Sequence, residues 1–216
     1  MNPSNVIDNT ILFAKESLKN SEGGHDWFHV ERVYKTSKHI AKKENADLFI
    51  VALGALLHDI ADSKFHSGDE SIGPKKAASF LKEQQVADEI IQHVVKIIEN
   101  ISFKGGNFSQ RFRSLELECI QDADRLDAIG AIGIARCFSY GGYKDRSLYD
   151  PEVKPNVSMT KEEYKKSTAP SINHFYEKLL LLKDKMNTVT GKEMALERHV
   201  FMQNFLDQFY KEWEGK

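Results

Sequence analysis

Residues 49–64 read FIVALGALLHDIADSK, an apolar run that ends in a histidine, an aspartate and a second acidic residue. No stretch of the chain combines period-two alternation with β-branched enrichment, so the run reads as a helix, predicted over 47–61. That helix is apolar nearly all round, which places it at the centre of an all-α fold.

Helical periodicity continues on either side. Residues 5–20 put Val6, Ile7, Ile11, Phe13, Ala14 and Leu18 mostly on one side, and Ser21-Glu22-Gly23-Gly24 ends that helix. A second helix is predicted over 26–44. Residues 68–74 read as a loop, with Pro74 suited to the first turn of a helix reaching Glu83, and another helix follows over 86–101. After Gly105-Gly106 a long pattern over 114–140 is predicted to stop at Gly141-Gly142. Residues 141–168 form the one long irregular stretch, of the kind that covers sites. Thr160 with Glu163, and Thr190 with Glu193, have capping-box spacing, predicting a short helix at 161–166 and a long one at 191–214. Residues 171–187 are amphipathic through Ile172, Phe175, Leu179 and Leu182. With no repeat or linker, one domain is expected over 1–216, the C-terminal helices (168–216) packing on the core and the 141–168 loop near the site.

Bulk properties narrow the class. The chain has 216 residues, 41% apolar and 29% charged, as a globular protein does and a disordered or membrane chain does not. A net charge of −2 gives no global reason to expect a nucleic-acid partner. The N-terminus lacks the apolar centre of a signal peptide, and no segment approaches the roughly 20 apolar residues that span a bilayer, so a cytoplasmic protein is expected. Cys119 and Cys137 fall in the predicted 114–140 helix, where 18 residues separate them by roughly 27 Å, too far for a disulfide.

His58 and Asp59 end the most apolar helix, where a charged pair is costly unless something compensates it. Adjacent helical residues point about 100° apart, so both can meet one ion only near a helix end. On its own the dipeptide reads as a cap on the helix C-terminus. GHDWFH (24–29) adds His29 early in a helix, and QDADRLD (121–127) adds carboxylates to an otherwise apolar one. Asp124 lies among Ile120, Ala123, Ala128 and Ala131, with Asp127 one turn away, and a divalent cation is a strong reason to keep carboxylates there. Asp122 points about 200° from Asp124 and reads as a surface or loop contact.

The order His29, His58-Asp59, Asp124 resembles the signature of the HD superfamily of metal-dependent phosphohydrolases. More closely, GHDWFHVERV, ALLHDIADSKF, QDADRLDAIGAIGIARCF and SINHFYEKLLLLKDKMNTVTGK look like its small stand-alone bacterial YpgQ/YedJ branch. The resemblance covers nearly the whole chain. It implies an all-helical bundle and nucleotide pyrophosphohydrolase activity. It also implies His29, His58, Asp59 and Asp124 as metal ligands, since Ala123-Asp124-Arg125 matches the family pattern and Asp127 does not. Asp62 then orients or deprotonates the attacking water and Lys64 steadies phosphate, roles for which a carboxylate near water and an ammonium near phosphate are chemically suited.

His25, Arg32, Asp127 and His93 are the candidate substrate-facing residues, each with a plain alternative as cap, surface ion pair or ligand support. Two-metal relatives use extra histidines between the His-Asp pair and the last aspartate; only His66 and His93 occupy that interval here, so one metal is expected. His39 and His199 read as surface residues, and His174 as approaching the pocket from the 171–187 block. A mixed nitrogen and oxygen donor set favours a transition metal: Mn2+ is expected, with Mg2+, Fe2+, Ni2+ or Co2+ as alternatives. The expected reaction is in-line attack of metal-activated water on the α-phosphorus of a nucleoside triphosphate, with Arg32 and either Arg125 or the 141–168 loop also handling phosphates. Left open are a 5′-nucleotide phosphomonoesterase, a phosphodiesterase and a non-catalytic nucleotide sensor. The expected partner is a small nucleotide, with no nucleic acid or membrane; the Phe201, Phe205 and Phe209 face serves either the core or a homodimer.

Overall fold

The computed structural model describes residues 2–19, 26–61, 69, 71–101, 112–160, 163 and 166–216. The described residues are helical and turn segments with no strand, so the chain is all-α, as its periodicity predicts. Among the described residues, no helix is long and apolar enough to cross a membrane. The chain divides into two compact units, residues 1–124 and 125–216.

In the first unit, α1 (Pro3–Ser17) starts at Asn2, whose side chain accepts from Ser4 N. The second helix, α2 (Trp27–Glu44), is capped by Asp26 and ends where Asn45 turns left-handed at φ 59°. Asp47 starts α3 (Leu48–Leu57), accepting from the backbone of both Phe49 and Ile50. Every residue of α3 from Val51 to Leu57 is buried, and it packs on α1, α2 and α5, so the central placement holds. It is shorter than predicted. The helix stops at Leu57 rather than Ala61, because the His58 ring turns back onto the Ala55 carbonyl and satisfies a last-turn acceptor. The fourth and fifth helices, α4 (Ile72–Glu83) and α5 (Asp88–Asn100), pack together and close the core around Leu53, Leu57, Leu81 and Val94.

The predicted 114–140 helix is two helices, α6 (Leu115–Asp127) and α7 (Gly130–Tyr143). Ile129 is extended and Gly130 takes φ 74°, a left-handed turn that side chains oppose. Cys119 and Cys137 therefore sit in different helices, and both are free thiols. Gly141-Gly142 does not end α7; Lys144 N closes onto the carbonyls of Tyr140 and Gly141, carrying the helix to Tyr143.

In the second unit, residues 171–187 resolve into α8 (Asn173–Glu177) and a 3₁₀ segment (Leu179–Lys185), followed by α9 (Val189–Trp213). The predicted box at Thr160 and Glu163 forms, each side chain meeting the other's backbone N–H. The one at Thr190 does not start α9: Thr188 caps it, accepting from Gly191 N at 2.9 Å, while Thr190 is buried inside the first turn. Phe205 stacks on Phe175, and Phe209 joins Tyr149, Tyr210 and Trp213; Phe201 is the exposed member of that predicted face.

Candidate metal centre

Three helices of the first unit deliver the site. The Asp26 cap starts α2 so that His29 stands in its first turn, almost fully buried. The apolar length of α3 carries His58 and Asp59 to the turn at its end, and α6 brings Asp124. His29 Nε2 lies 3.4 Å from Asp124 Oδ1 and 3.6 Å from Asp59 Oδ2, and His58 Nε2 lies 3.6 Å from the same Asp59 oxygen. Potential ligand atoms of His29, His58 and Asp59 all fall within 4.8 Å of one another.

His58 shows what the cluster is built for. Its Nδ1 is 2.8 Å from the Ala55 carbonyl, which can only accept, so Nδ1 carries the ring proton of the neutral imidazole. The lone pair is then on Nε2, which is buried without a hydrogen-bond partner. A buried, oriented and unsatisfied nitrogen beside carboxylates is costly in a metal-free protein and is the donor a cation needs. Two donors about 2.1 Å from one ion at tetrahedral angles stand about 3.4 Å apart, close to the separations found here. His29, His58 and Asp59 fit a divalent metal, and Asp124 stands against His29 at their edge.

Electrostatics agree. Burial alone would raise the Asp124 carboxyl, but the hydrogen bond from His29 leads the interactions that outweigh it and hold Asp124 below the usual carboxylate range. It stays ionised, as a ligand must.

The other predicted site residues divide. Arg32 is half-buried in α2, one turn after His29. His93 does not join the donor group: its Nε2 meets Ser114 Oγ at 2.9 Å and Glu116 Oε2 at 3.5 Å. Asp127 is buried and spent on the guanidinium of Arg136. Arg125 donates to the Lys185 carbonyl at 2.6 Å. His25, Asp62, Lys64 and His66 lie outside the described residues. Asp122, expected at the surface, is fully buried, and so is most of His199, where α9 packs on the 3₁₀ segment; an apolar-neighbour count along one helix misses what a second element covers. His39 is exposed as expected. His174 is half-buried in α8, where desolvation and the charges of Lys178 and Arg146 push its pKa down to about 4.

Comparison with known proteins places this geometry. Residues 27–129, which include all four residues of the cluster, match the HD domain model. Bacillus subtilis YpgQ is 40% identical over 204 residues, 94% of this chain and 91% of that protein. This chain belongs to the HD superfamily. Among solved structures, an HD-superfamily hydrolase from Bacillus thuringiensis is 42% identical, covers the whole of both chains and superposes with a TM-score of 0.81. Bacillus subtilis YpgQ in complex with ADP covers 98% of this chain and 97% of its own at 35% identity, with a TM-score of 0.76. The protein is thus an HD-superfamily hydrolase, in the class of metal-dependent phosphohydrolases.

Proposed function

We propose that this HD hydrolase is a nucleotide pyrophosphohydrolase acting through one divalent metal, cleaving nucleoside triphosphates to monophosphate and pyrophosphate, with the whole chain working as one domain. The observation that carries the metal is the Nε2 of His58, buried beside Asp59 without a hydrogen-bond partner, with His29 and Asp124 completing two imidazoles and two carboxylates. The nucleotide is supported by the ADP complex of the similar YpgQ. His29, His58, Asp59 and Asp124 would hold the ion, with Mn2+ the proposed species for a mixed nitrogen and oxygen set. When bound, such an ion supplies a lower pKa for water and charge neutralisation at phosphate.

The chain's own residues do the rest. Asp62 accepts the proton of the attacking water as the new oxygen–phosphorus bond forms at Pα. The bond from Pα to the bridging oxygen breaks, and pyrophosphate leaves with that electron pair. Lys64 and Arg32 neutralise charge on the phosphates, Arg32 being one turn from His29 and able to do so bidentately.

Metal content and a phosphate-ester panel, measured on wild type and Asp59→Ala, test the proposal. Wild type is expected to retain one Mn2+ and release pyrophosphate from nucleoside triphosphates. The variant should lose the metal and more than about 100-fold in kcat/KM, beyond the range of a group that only orients a ligand. Retention of metal and full activity by the variant would falsify the centre. Inorganic phosphate from 5′-nucleotides, cleavage of diesters only, or nucleotide binding without turnover would each replace the reaction with the corresponding alternative.

A further inference from the structure

His93, Ser114, Glu116 and Asp47 form a polar cluster that the proposed reaction does not use. Ser114, His93 and a glutamate suggest a nucleophile triad, but the geometry excludes one. Both Ser114 Oγ and Glu116 Oε2 face the same ring nitrogen, so among the described residues no carboxylate orients the imidazole from its far side. Ser114 Oγ is also occupied in accepting from Leu117 N at 3.2 Å, at the start of α6.

The cluster instead ties helix ends together. Glu116 Oε1 accepts from Asp47 N at 3.2 Å, and the Asp47 side chain caps α3 through Phe49 N and Ile50 N. The His93 ring draws α5 onto the same point. The beginnings of α3 and α6 are thereby fastened to each other, and both helices run from there toward the metal-binding group. His58 stands 11 residues beyond Asp47 and Asp124 eight beyond Glu116, about 16 and 12 Å along helices that rise 1.5 Å per residue. Between those ends, Gly54 of α3 faces Ile120 of α6. A Cβ on Gly54 would lie 2.7 Å from Ile120 Cδ1 and 3.2 Å from Ile97 Cγ2. Gly54 and Ile120 each precede a proposed ligand, His58 and Asp124, by four residues, or about one turn.

We infer that this cluster is a register latch: Glu116 and His93 are positioning residues that fix how far α3 and α6 slide along each other, and so the spacing of His58 and Asp59 from Asp124. The inference rests on the proposed metal centre. It matters there because a slip of one residue moves a donor by 1.5 Å, whereas metal–ligand distances tolerate about 0.2 Å.

The test uses the full chain stripped of metal and titrated with Mn2+, alongside urea unfolding. Glu116→Ala should bind Mn2+ about tenfold more weakly at a temperature where its unfolding curve shows it folded. Glu116→Gln keeps the acceptor for Asp47 N and should recover most of that affinity. Val6→Ala, a core truncation in α1, should lower stability and leave Mn2+ affinity unchanged. His93→Gln serves if Glu116→Ala does not fold, and should also weaken Mn2+ binding. A folded Glu116→Ala or His93→Gln with wild-type Mn2+ affinity and only a lower unfolding midpoint overturns the latch. A wild-type chain that takes up no Mn2+ overturns the metal centre itself, and the positioning role with it.

Discussion

Asp127 and Asp124 show how one turn of helix separates two fates for a carboxylate. Both were visible in QDADRLD as acidic residues among apolar ones, and spacing alone lets either face a cavity. Asp124 meets His29, while Asp127 is buried with Arg136 bound to both its carboxylate and its backbone carbonyl. An ion pair of that kind is expensive to break from one side, because the remaining charge stays buried. Arg136→Met is therefore expected to cost about 3 kcal/mol in chemical denaturation. Asp127→Asn should lower the unfolding midpoint while leaving KM near wild type; a raised KM with unchanged stability would return Asp127 to the substrate. The sequence could not assign the pair, since Arg136 lies nine residues on, across a break at Gly130 that the helical pattern runs through in phase. The orientation of His58 was equally hidden, depending on where the Ala55 carbonyl points.

At the scale of elements, periodicity located α1 to α5 within a few residues, because each buries one face or, for α3, all of them. It failed at α6 and α7, whose apolar positions continue in phase through Ala128 and Ala131. Gly130 breaks the helix there, at φ 74°, and a Cβ on it would lie only 2.9 Å from Cγ of Arg198. Gly130→Ala should destabilise the protein by at least about 1–2 kcal/mol, the cost of left-handed backbone for an L-residue, read from the urea midpoint. An alanine that left stability unchanged or improved would mean that the break is not imposed there. The start of α9 teaches a related lesson. Thr188 and Thr190 are both good caps by type, and the backbone entering the helix selects Thr188.

For the whole molecule, the four proposed ligands all lie within residues 1–124, so metal binding should stabilise that unit. At a free Mn2+ concentration 100 times the Kd the gain is about 2.7 kcal/mol, raising Tm by roughly 5–11 °C for a chain of this size. Asp59→Ala should show no such shift, and if two unfolding transitions are resolved only one should move with Mn2+. A rise shared by the variant would place the ion elsewhere. The sequence by itself determined that the chain is all-helical, that its most apolar helix is central, and that His29, His58, Asp59 and Asp124 recur in the order of an HD hydrolase. The first two are consequences of residue type and spacing, which local periodicity encodes; the third rests on the resemblance of the chain's motifs to that superfamily. Tertiary structure alone decided that His58 presents Nε2, that Asp127 belongs to Arg136 and that His93 fastens helix starts. The first depends on the direction of the Ala55 carbonyl three residues back, and the other two on which groups from other segments arrive within hydrogen-bond reach, a distance that no spacing along one helix contains.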